Sequence, residues 1–183
     1  MKLTSLLKEI MDQSQYQSKY DIWELGLIKA WGQLLYLSYH NIPDSISNIV
    51  DEKTTKQVFE DYYKNADSNE DLQDWMSDEP PTMNKGVAVF DKNRLSQMMS
   101  SIANKTKLQE PLIVYRYEDT SYEQGWNSYT TDINDASYAG PSRSMISYTI
   151  PKGYPVIFAD RIADSGEVII NLSSSEKAKY INK

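Results

Sequence analysis

Residues 111–117 read PLIVYRY, and this stretch decides how the rest of the chain is interpreted. An apolar run rich in β-branched residues directly after a proline predicts a short buried strand over 112–115. Before this point apolar residues recur at helical spacing, and after it they cluster in short runs bounded by turn residues. Because the strands follow the helices instead of alternating with them, the sequence predicts an α+β fold.

The region before this strand carries helical stripes of apolar residues. The strongest stripe runs from Ile22 to Leu35, and Pro43 ends it because proline cannot continue a helix. Shorter stripes lie within 3–11, 58–63, 72–76 and 95–102. We therefore predict a mainly helical N-terminal region over residues 1–108.

The region after this point carries short apolar runs that predict strands. The predicted strands cover 112–115, 125–131, 145–150, 155–159 and 167–172. The run Pro151-Lys152-Gly153-Tyr154-Pro155 has the composition of a turn, and a short helix is expected at 132–139. Residues 177–183 are expected to form a last short strand or a frayed tail. Residues 109–183 are thus predicted to form a compact β-rich core on which the helical region packs.

Composition excludes several kinds of site. The chain has no cysteine, so it can form neither a disulfide nor a thiolate zinc site, and it has no cysteine nucleophile. His40 is the only histidine, which rules out a metal site built on several histidines. The formal net charge of −7 disfavours a nucleic-acid partner, because an acidic protein repels phosphate backbones.

The N-terminal residues do not have the pattern of a targeting segment. The apolar run in MKLTSLLKEIMDQ is broken by Lys8 and Glu9, so no cleaved signal peptide is expected. No stretch approaches the roughly 20 apolar residues that a membrane helix needs. We expect a protein that is made in the cytoplasm and has no membrane partner, with export by a route without a cleaved signal left open.

Three polar residues of the second half occupy positions where chemistry can be built. Arg116 ends the first predicted strand, Ser128 lies within the second, and Glu167 opens the last one. Taken singly, they are typical of a surface charge, a serine that bonds its own backbone, and a solvated glutamate. Their order and their contexts favour treating them as one set.

In this order the set resembles that of the mono-ADP-ribosyltransferases of the arginine–serine–glutamate class. Tyr115-Arg116 matches the aromatic–arginine pair that ends a strand in this family. Trp126, Asn127 and then Ser128-Tyr129-Thr130 match an aromatic residue followed by a Ser-Thr-Ser element. Glu167-Val168-Ile169-Ile170 matches the catalytic glutamate that heads an apolar strand. The resemblance covers roughly residues 111–172, and it also includes Asp132, Ala136, Tyr138 and the turn at Lys152-Gly153.

The resemblance implies a fold, an activity and a substrate. The fold would be a β-rich core of two small sheets around an NAD cleft, next to a helical region. The activity would be cleavage of NAD at the nicotinamide–ribose bond and transfer of ADP-ribose to a macromolecular acceptor, most simply a protein. NAD would be consumed as a substrate, and no metal is needed. Family members of this kind imply a bacterial or phage effector or toxin.

Elementary chemistry gives each residue of the set a role in this reaction. Breaking the bond leaves an oxocarbenium-like sugar, and the Glu167 carboxylate would stabilise its developing positive charge. The Arg116 guanidinium presents paired donors that suit a pyrophosphate. Ser128 would position Glu167 or the nicotinamide ribose by hydrogen bonds.

Three further residues are expected to contact NAD. Tyr117 stands where a glycine often follows the arginine, and it would supply a backbone contact. Tyr129 would stack on the nicotinamide. Arg143 lies in a loop, Gly140-Pro141-Ser142-Arg143-Ser144, that would fold over the dinucleotide.

Two departures from the family pattern leave alternatives open. Tyr129 replaces the middle threonine of the serine element, and Ser165 stands where the family often has Glu or Gln to engage the acceptor. The alternatives are an NAD glycohydrolase, with water as acceptor, and an inactive binding or inhibitor protein that keeps the fold. Dehydrogenase and P-loop motifs are absent, and no nucleophile elbow accompanies His40.

Overall fold

The computed structural model of the chain describes residues 13–39, 52–66, 92–118, 125–134, 136, 144–159 and 167–182. The predicted helical stripes within 3–11 and 72–76 lie outside these residues, as does most of the helix predicted at 132–139. The described residues form helices and one sheet, so the predicted mixture of helices and strands is confirmed.

Helices dominate the described part of the N-terminal region. α1 spans Ile22–Tyr39, α2 spans Glu52–Asn65 and α3 spans Lys92–Ala103, which confirms the helices predicted from the corresponding stripes. Glu24 fixes the start of α1, because its carboxylate accepts the backbone N–H of Asp21 at 2.7 Å. None of the helices in the described ranges is long and apolar enough to cross a bilayer.

The chain divides into two compact units, residues 1–99 and residues 100–183. In the first unit α1 and α2 pack against each other. Gly26 permits this packing, because a Cβ at its position would overlap the backbone carbonyl of Phe59. Leu27, Phe59 and Tyr62 are buried in this unit.

The second unit is built on an antiparallel sheet of five strands. The strands are β1 (Leu112–Glu118), β2 (Gly125–Thr130), β3 (Ser144–Ile150), β4 (Ile157–Phe158) and β5 (Glu167–Leu172). Their order across the sheet is β3-β1-β2-β5-β4. Each of these strands overlaps one of the predicted strands, although β4 is only two residues long. The turn predicted at 151–155 is also present, with Gly153 at a φ of 84° that other residues rarely adopt.

The expected pair of small sheets is replaced among the described residues by this single sheet. β1 pairs with β3 from Leu112 to Glu118, but it pairs with β2 at one position, Tyr115 opposite Thr130. That one pair continues the ladder between two halves, β3-β1 and β2-β5-β4, and makes them one sheet. Among the described residues no further backbone pair joins β1 and β2 next to Arg116.

One face of the sheet carries the hydrophobic core of the second unit. Successive residues of a strand point to opposite faces, so every second residue contributes to it. We call this the core face. It carries Val114 from β1, Tyr129 from β2, Tyr148 and Ile150 from β3, and Val168, Ile170 and Leu172 from β5. The opposite face carries Ser128, Thr130 and Glu167, because Thr130 lies directly across from Glu167.

The C-terminal segment is a helix, so the expectation of a strand or a frayed tail was wrong. α4 spans Ser174–Tyr180 and contacts β3 and β5. Ser173 and Glu176 form a capping box, in which each side chain bonds the other residue's backbone N–H. After the helix the chain pairs briefly with β3 through Ile181 and Tyr148.

Candidate functional site

Arg116 follows the one residue of β1 that pairs with β2, Tyr115 opposite Thr130. Its Nη1 donates a hydrogen bond to the backbone carbonyl of Ser128 at 2.7 Å, and the guanidinium therefore joins the two strands where their backbone ladder stops. The guanidinium carbon also lies 5.8 Å from the centre of the Tyr129 ring. The side chain is only 18% exposed, so its position is set by these contacts.

Glu167 opens β5 on the far side of β2 from Arg116. Thr130 is its direct cross-strand neighbour and Ser128 its diagonal neighbour on the same face. Burial raises the pKa of the Glu167 carboxyl above its ordinary value, while the Ser128 hydroxyl and the Arg116 charge offset part of this rise. The structure thus brings the Ser128 and Glu167 side chains into one neighbourhood on one face of β2 and β5. Arg116 bonds the Ser128 backbone there, but by alternation from Val114 its side chain leaves β1 on the core face, over the Tyr129 ring.

The Ser128 hydroxyl is buried and makes no hydrogen bond of normal geometry in the described part of the chain. It is still near enough to Glu167 to lower the pKa of that carboxyl. A buried hydroxyl without a hydrogen bond costs free energy, which a ligand that supplies a partner would recover. The neighbourhood therefore contains a polar group suited to a ligand hydroxyl.

The two tyrosines expected at the site occupy different environments. Tyr129 is 2% exposed on the core face, where its ring packs edge-on against Tyr148 at a centroid distance of 6.0 Å. Its side chain therefore points away from Ser128 and Glu167, and the expected stacking on nicotinamide needs a correction: this ring belongs to the core. Tyr117 lies in β1 opposite Met145 and is half-buried.

Two of the predicted site residues cannot be placed. Arg143 and Ser165 lie outside the residues that the structure describes. Their expected contacts, with the dinucleotide and with the acceptor, stay predictions.

A buried ionic cluster next to Arg116 was not found by sequence reasoning. Glu118, two residues further along β1, is 4% exposed. It accepts hydrogen bonds from Lys177 Nζ at 2.7 and 2.8 Å and from the Tyr148 hydroxyl at 2.8 Å. An acidic residue at the end of an apolar strand was the only available signal, because Lys177 lies 59 residues away in the chain.

A cavity in the second unit lies away from the Ser128 and Glu167 side chains. A cavity of about 330 Å³ opens at the other end of β2 and β5, where Trp126 pairs with Asn171. Neither Ser128 nor Glu167 lines it. Among the described residues, no group of three acidic or histidine side chains is arranged to hold a metal ion.

The raised pKa of Glu167 predicts how stability depends on pH. The pKa of the Glu167 carboxyl is higher in the folded protein than in the unfolded protein. At a pH between these two pKa values, the folded state therefore binds the proton more tightly than the unfolded state does. Stability therefore falls as pH rises through that interval, and the ionised carboxylate destabilises the fold at neutral pH. We expect Glu167→Gln to raise the free energy of unfolding at neutral pH, with a difference from wild type that shrinks in acid.

Urea denaturation across a pH series measures this difference. Glu110→Gln is the matched control, because Glu110 is an exposed glutamate of the same unit. A Glu167→Gln variant no more stable than Glu110→Gln at neutral pH would show that the Glu167 charge is adequately solvated.

The chemical assignment of this neighbourhood rests on its own side chains. No protein-family model matches the chain, and no curated protein or solved structure matches it. The function is therefore argued from the sequence pattern and from the geometry around β2.

Proposed function

We propose that the chain is a mono-ADP-ribosyltransferase, which cleaves NAD at the nicotinamide–ribose bond and transfers ADP-ribose to a macromolecular acceptor. The observation that carries the proposal is that Ser128 and Glu167 are neighbours on one face of β2 and β5, while Arg116, from the core face, bonds the Ser128 backbone carbonyl. These residues come from three strands and lie 12 residues apart or more, yet Arg116 bonds Ser128 and both act on the Glu167 carboxyl.

Glu167 acts on the sugar. As the bond between ribose C1′ and the nicotinamide nitrogen breaks, its electron pair leaves with nicotinamide, which departs as a neutral amide. The ribose carries the positive charge, and the Glu167 carboxylate stabilises it. Partial burial of the carboxylate strengthens this interaction, because water screens the two charges less. The acceptor then forms the new bond at C1′ and loses its proton.

Arg116 binds the pyrophosphate. Its side chain is largely buried and oriented by the Ser128 carbonyl, so little rotamer freedom is lost when an anion binds. A guanidinium also pairs with phosphate oxygens through parallel hydrogen bonds, which adds geometric specificity to the charge.

Ser128 positions the reacting groups. Its hydroxyl lies beside Glu167 and, within the described part of the chain, makes no hydrogen bond of normal geometry. A ribose hydroxyl would supply the missing partner and would be held next to the carboxylate. This role is one of orientation, so Ser128 does not itself react.

Release of nicotinamide from NAD tests the proposal. The transferase is expected to release nicotinamide faster when cell lysate supplies an acceptor, and to label a lysate protein with ADP-ribose. A rate that is equal with and without lysate identifies an NAD glycohydrolase. No release under either condition leaves an inactive scaffold and overturns the proposal.

Loss of the phosphate contact predicts weaker binding of NAD. Arg116→Ala should cost about 1.5–3 kcal/mol of binding free energy, because a charge-assisted hydrogen bond is removed. Arg116→Lys keeps the charge but loses the paired geometry, so its loss should be smaller. Calorimetric titration of NAD into folded variants measures both. Equal affinity for wild type and Arg116→Ala would assign the phosphate to another cation, with Arg143 as the next candidate.

A further inference from the structure

Arg116 has a neighbour that is able to compete for it. The Glu118 carboxylate lies on the same strand and, by alternation, on the same face as Arg116. Its Oε1 is 3.8 Å from Arg116 Nε, which is too long for a hydrogen bond but short for two opposite charges. Carboxylates and guanidinium groups favour a paired, two-bond geometry. A small rotation of Arg116 would bring it into that geometry with Glu118.

Lys177 already binds the Glu118 carboxylate. Its ammonium group from α4 bonds both oxygens of Glu118, at 2.7 and 2.8 Å, and the Tyr148 hydroxyl adds a third hydrogen bond. Glu118 is 4% exposed and Lys177 14% exposed, so water screens this pair weakly. Lys177 therefore neutralises most of the Glu118 charge, and Arg116 interacts with it only at the longer distance of 3.8 Å.

We infer that Lys177 is a positioning residue for NAD binding: it neutralises Glu118, and so keeps Arg116 directed to the Ser128 carbonyl and the pyrophosphate. The inference rests on the proposed function, since it assigns the pyrophosphate of NAD to Arg116. It also gives α4 a role in the site, because the helix holds Lys177 next to β1.

A purely structural role for the same contacts makes a different prediction. The Lys177–Glu118 pair could do no more than tether α4 to the sheet. In that case removing either partner, or both, would lower stability without a specific effect on NAD affinity. The two roles therefore differ in what happens when Glu118 is neutralised in a protein that already lacks Lys177.

The test compares NAD affinity in single and double variants of the full chain. Lys177→Met leaves Glu118 charged, so Arg116 should turn to it and NAD affinity should fall by about ten- to hundredfold. Glu118→Gln combined with Lys177→Met removes the competing charge, and affinity should return to within about threefold of wild type. Lys179→Met is the control, because Lys179 is an exposed lysine of the same helix whose Nζ lies over Tyr180.

A crystal structure of Lys177→Met adds a readout that does not need NAD. The Arg116 Nε to Glu118 Oε1 distance should shorten from 3.8 Å to a hydrogen bond. If Lys177→Met does not fold, Lys177→Gln replaces it, because it also removes the charge while keeping a polar side chain, and NAD affinity should fall by a similar factor.

The possible negative results distinguish a failure of the proposed function from a failure of this inference. Wild-type protein that binds no NAD overturns the proposed function and this inference with it. If the wild type binds NAD and Lys177→Met binds it equally tightly, the inference alone is overturned. A double variant as weak as Lys177→Met also overturns it, because the weaker binding then does not come from the Glu118 charge.

Discussion

Replacing Glu167 by glutamine should lower the rate of nicotinamide release by about 10²–10³-fold, which is the usual cost of removing one group that stabilises transition-state charge. Glutamine has nearly the shape of glutamate, so the packing next to Ser128 and Thr130 is preserved. What disappears is the negative charge opposite the oxocarbenium-like ribose.

The affinity for NAD should change little in the same variant. Bound NAD carries no full positive charge on ribose C1′ comparable with that of the transition state, so the carboxylate is needed mainly as the bond breaks. A lower catalytic constant at nearly constant affinity marks an interaction that is made only in the transition state. Nicotinamide release and calorimetric titration of the same protein preparations measure the two quantities.

Glu110→Gln is again the control, since it removes one exposed carboxylate from the same unit and should leave both quantities unchanged. A Glu167→Gln variant with wild-type activity would remove Glu167 from the catalytic assignment. A large loss of NAD affinity together with the rate would instead assign the carboxylate to ground-state binding of the ribose.

The sequence was informative where local patterns determine structure. The apolar run after Pro111 and the run after Glu167 predicted β1 and β5, because β-branched residues favour the pleated surface of a sheet. The predicted burial is confirmed for most of β5, whereas β1 is buried only at Val114 and Glu118. The stripe that starts at Ile22 predicted α1, because apolar residues at helical spacing share one face of a helix and can be buried together. Once the strands pair, Ser128 and Glu167 become diagonal neighbours, which their positions in the two strands made possible but did not establish.

Contacts between distant segments were not predictable in this way. Nothing in the sequence around Lys177 indicates a pairing with Glu118, and the single junction between β1 and β2 depends on how the two backbones twist. The helix α4 is a different case, because the capping-box pair Ser173 and Glu176 was present in the sequence. The expectation of a strand or a frayed tail at 177–183 did not take this pair into account.

Tyr129 shows how a local pattern and a tertiary environment can point to different roles. The residue replaces a threonine of the family's serine element, and the sequence alone left open whether this abolishes chemistry. In the structure it faces the core while Ser128 faces the opposite side, because neighbouring residues of a strand alternate. The difference from the serine element of the resembled family therefore lies on the core face, and Ser128 lies on the other face of β2.

This placement predicts that a threonine at position 129 would destabilise the protein. Tyr129→Thr removes a ring that is 2% exposed, packs edge-on against Tyr148 and lies 5.8 Å from the Arg116 guanidinium. The cavity left behind should cost about 3–5 kcal/mol of unfolding free energy, the range for truncating a large buried aromatic residue. Tyr129→Phe keeps the ring, and we expect it to lose about 1 kcal/mol or less. Urea denaturation of the two variants measures the difference, and nicotinamide release by Tyr129→Phe should stay close to wild type. A loss below about 1 kcal/mol in Tyr129→Thr would show that the ring contributes little to the core, and it would return Tyr129 to the residues available for binding nicotinamide.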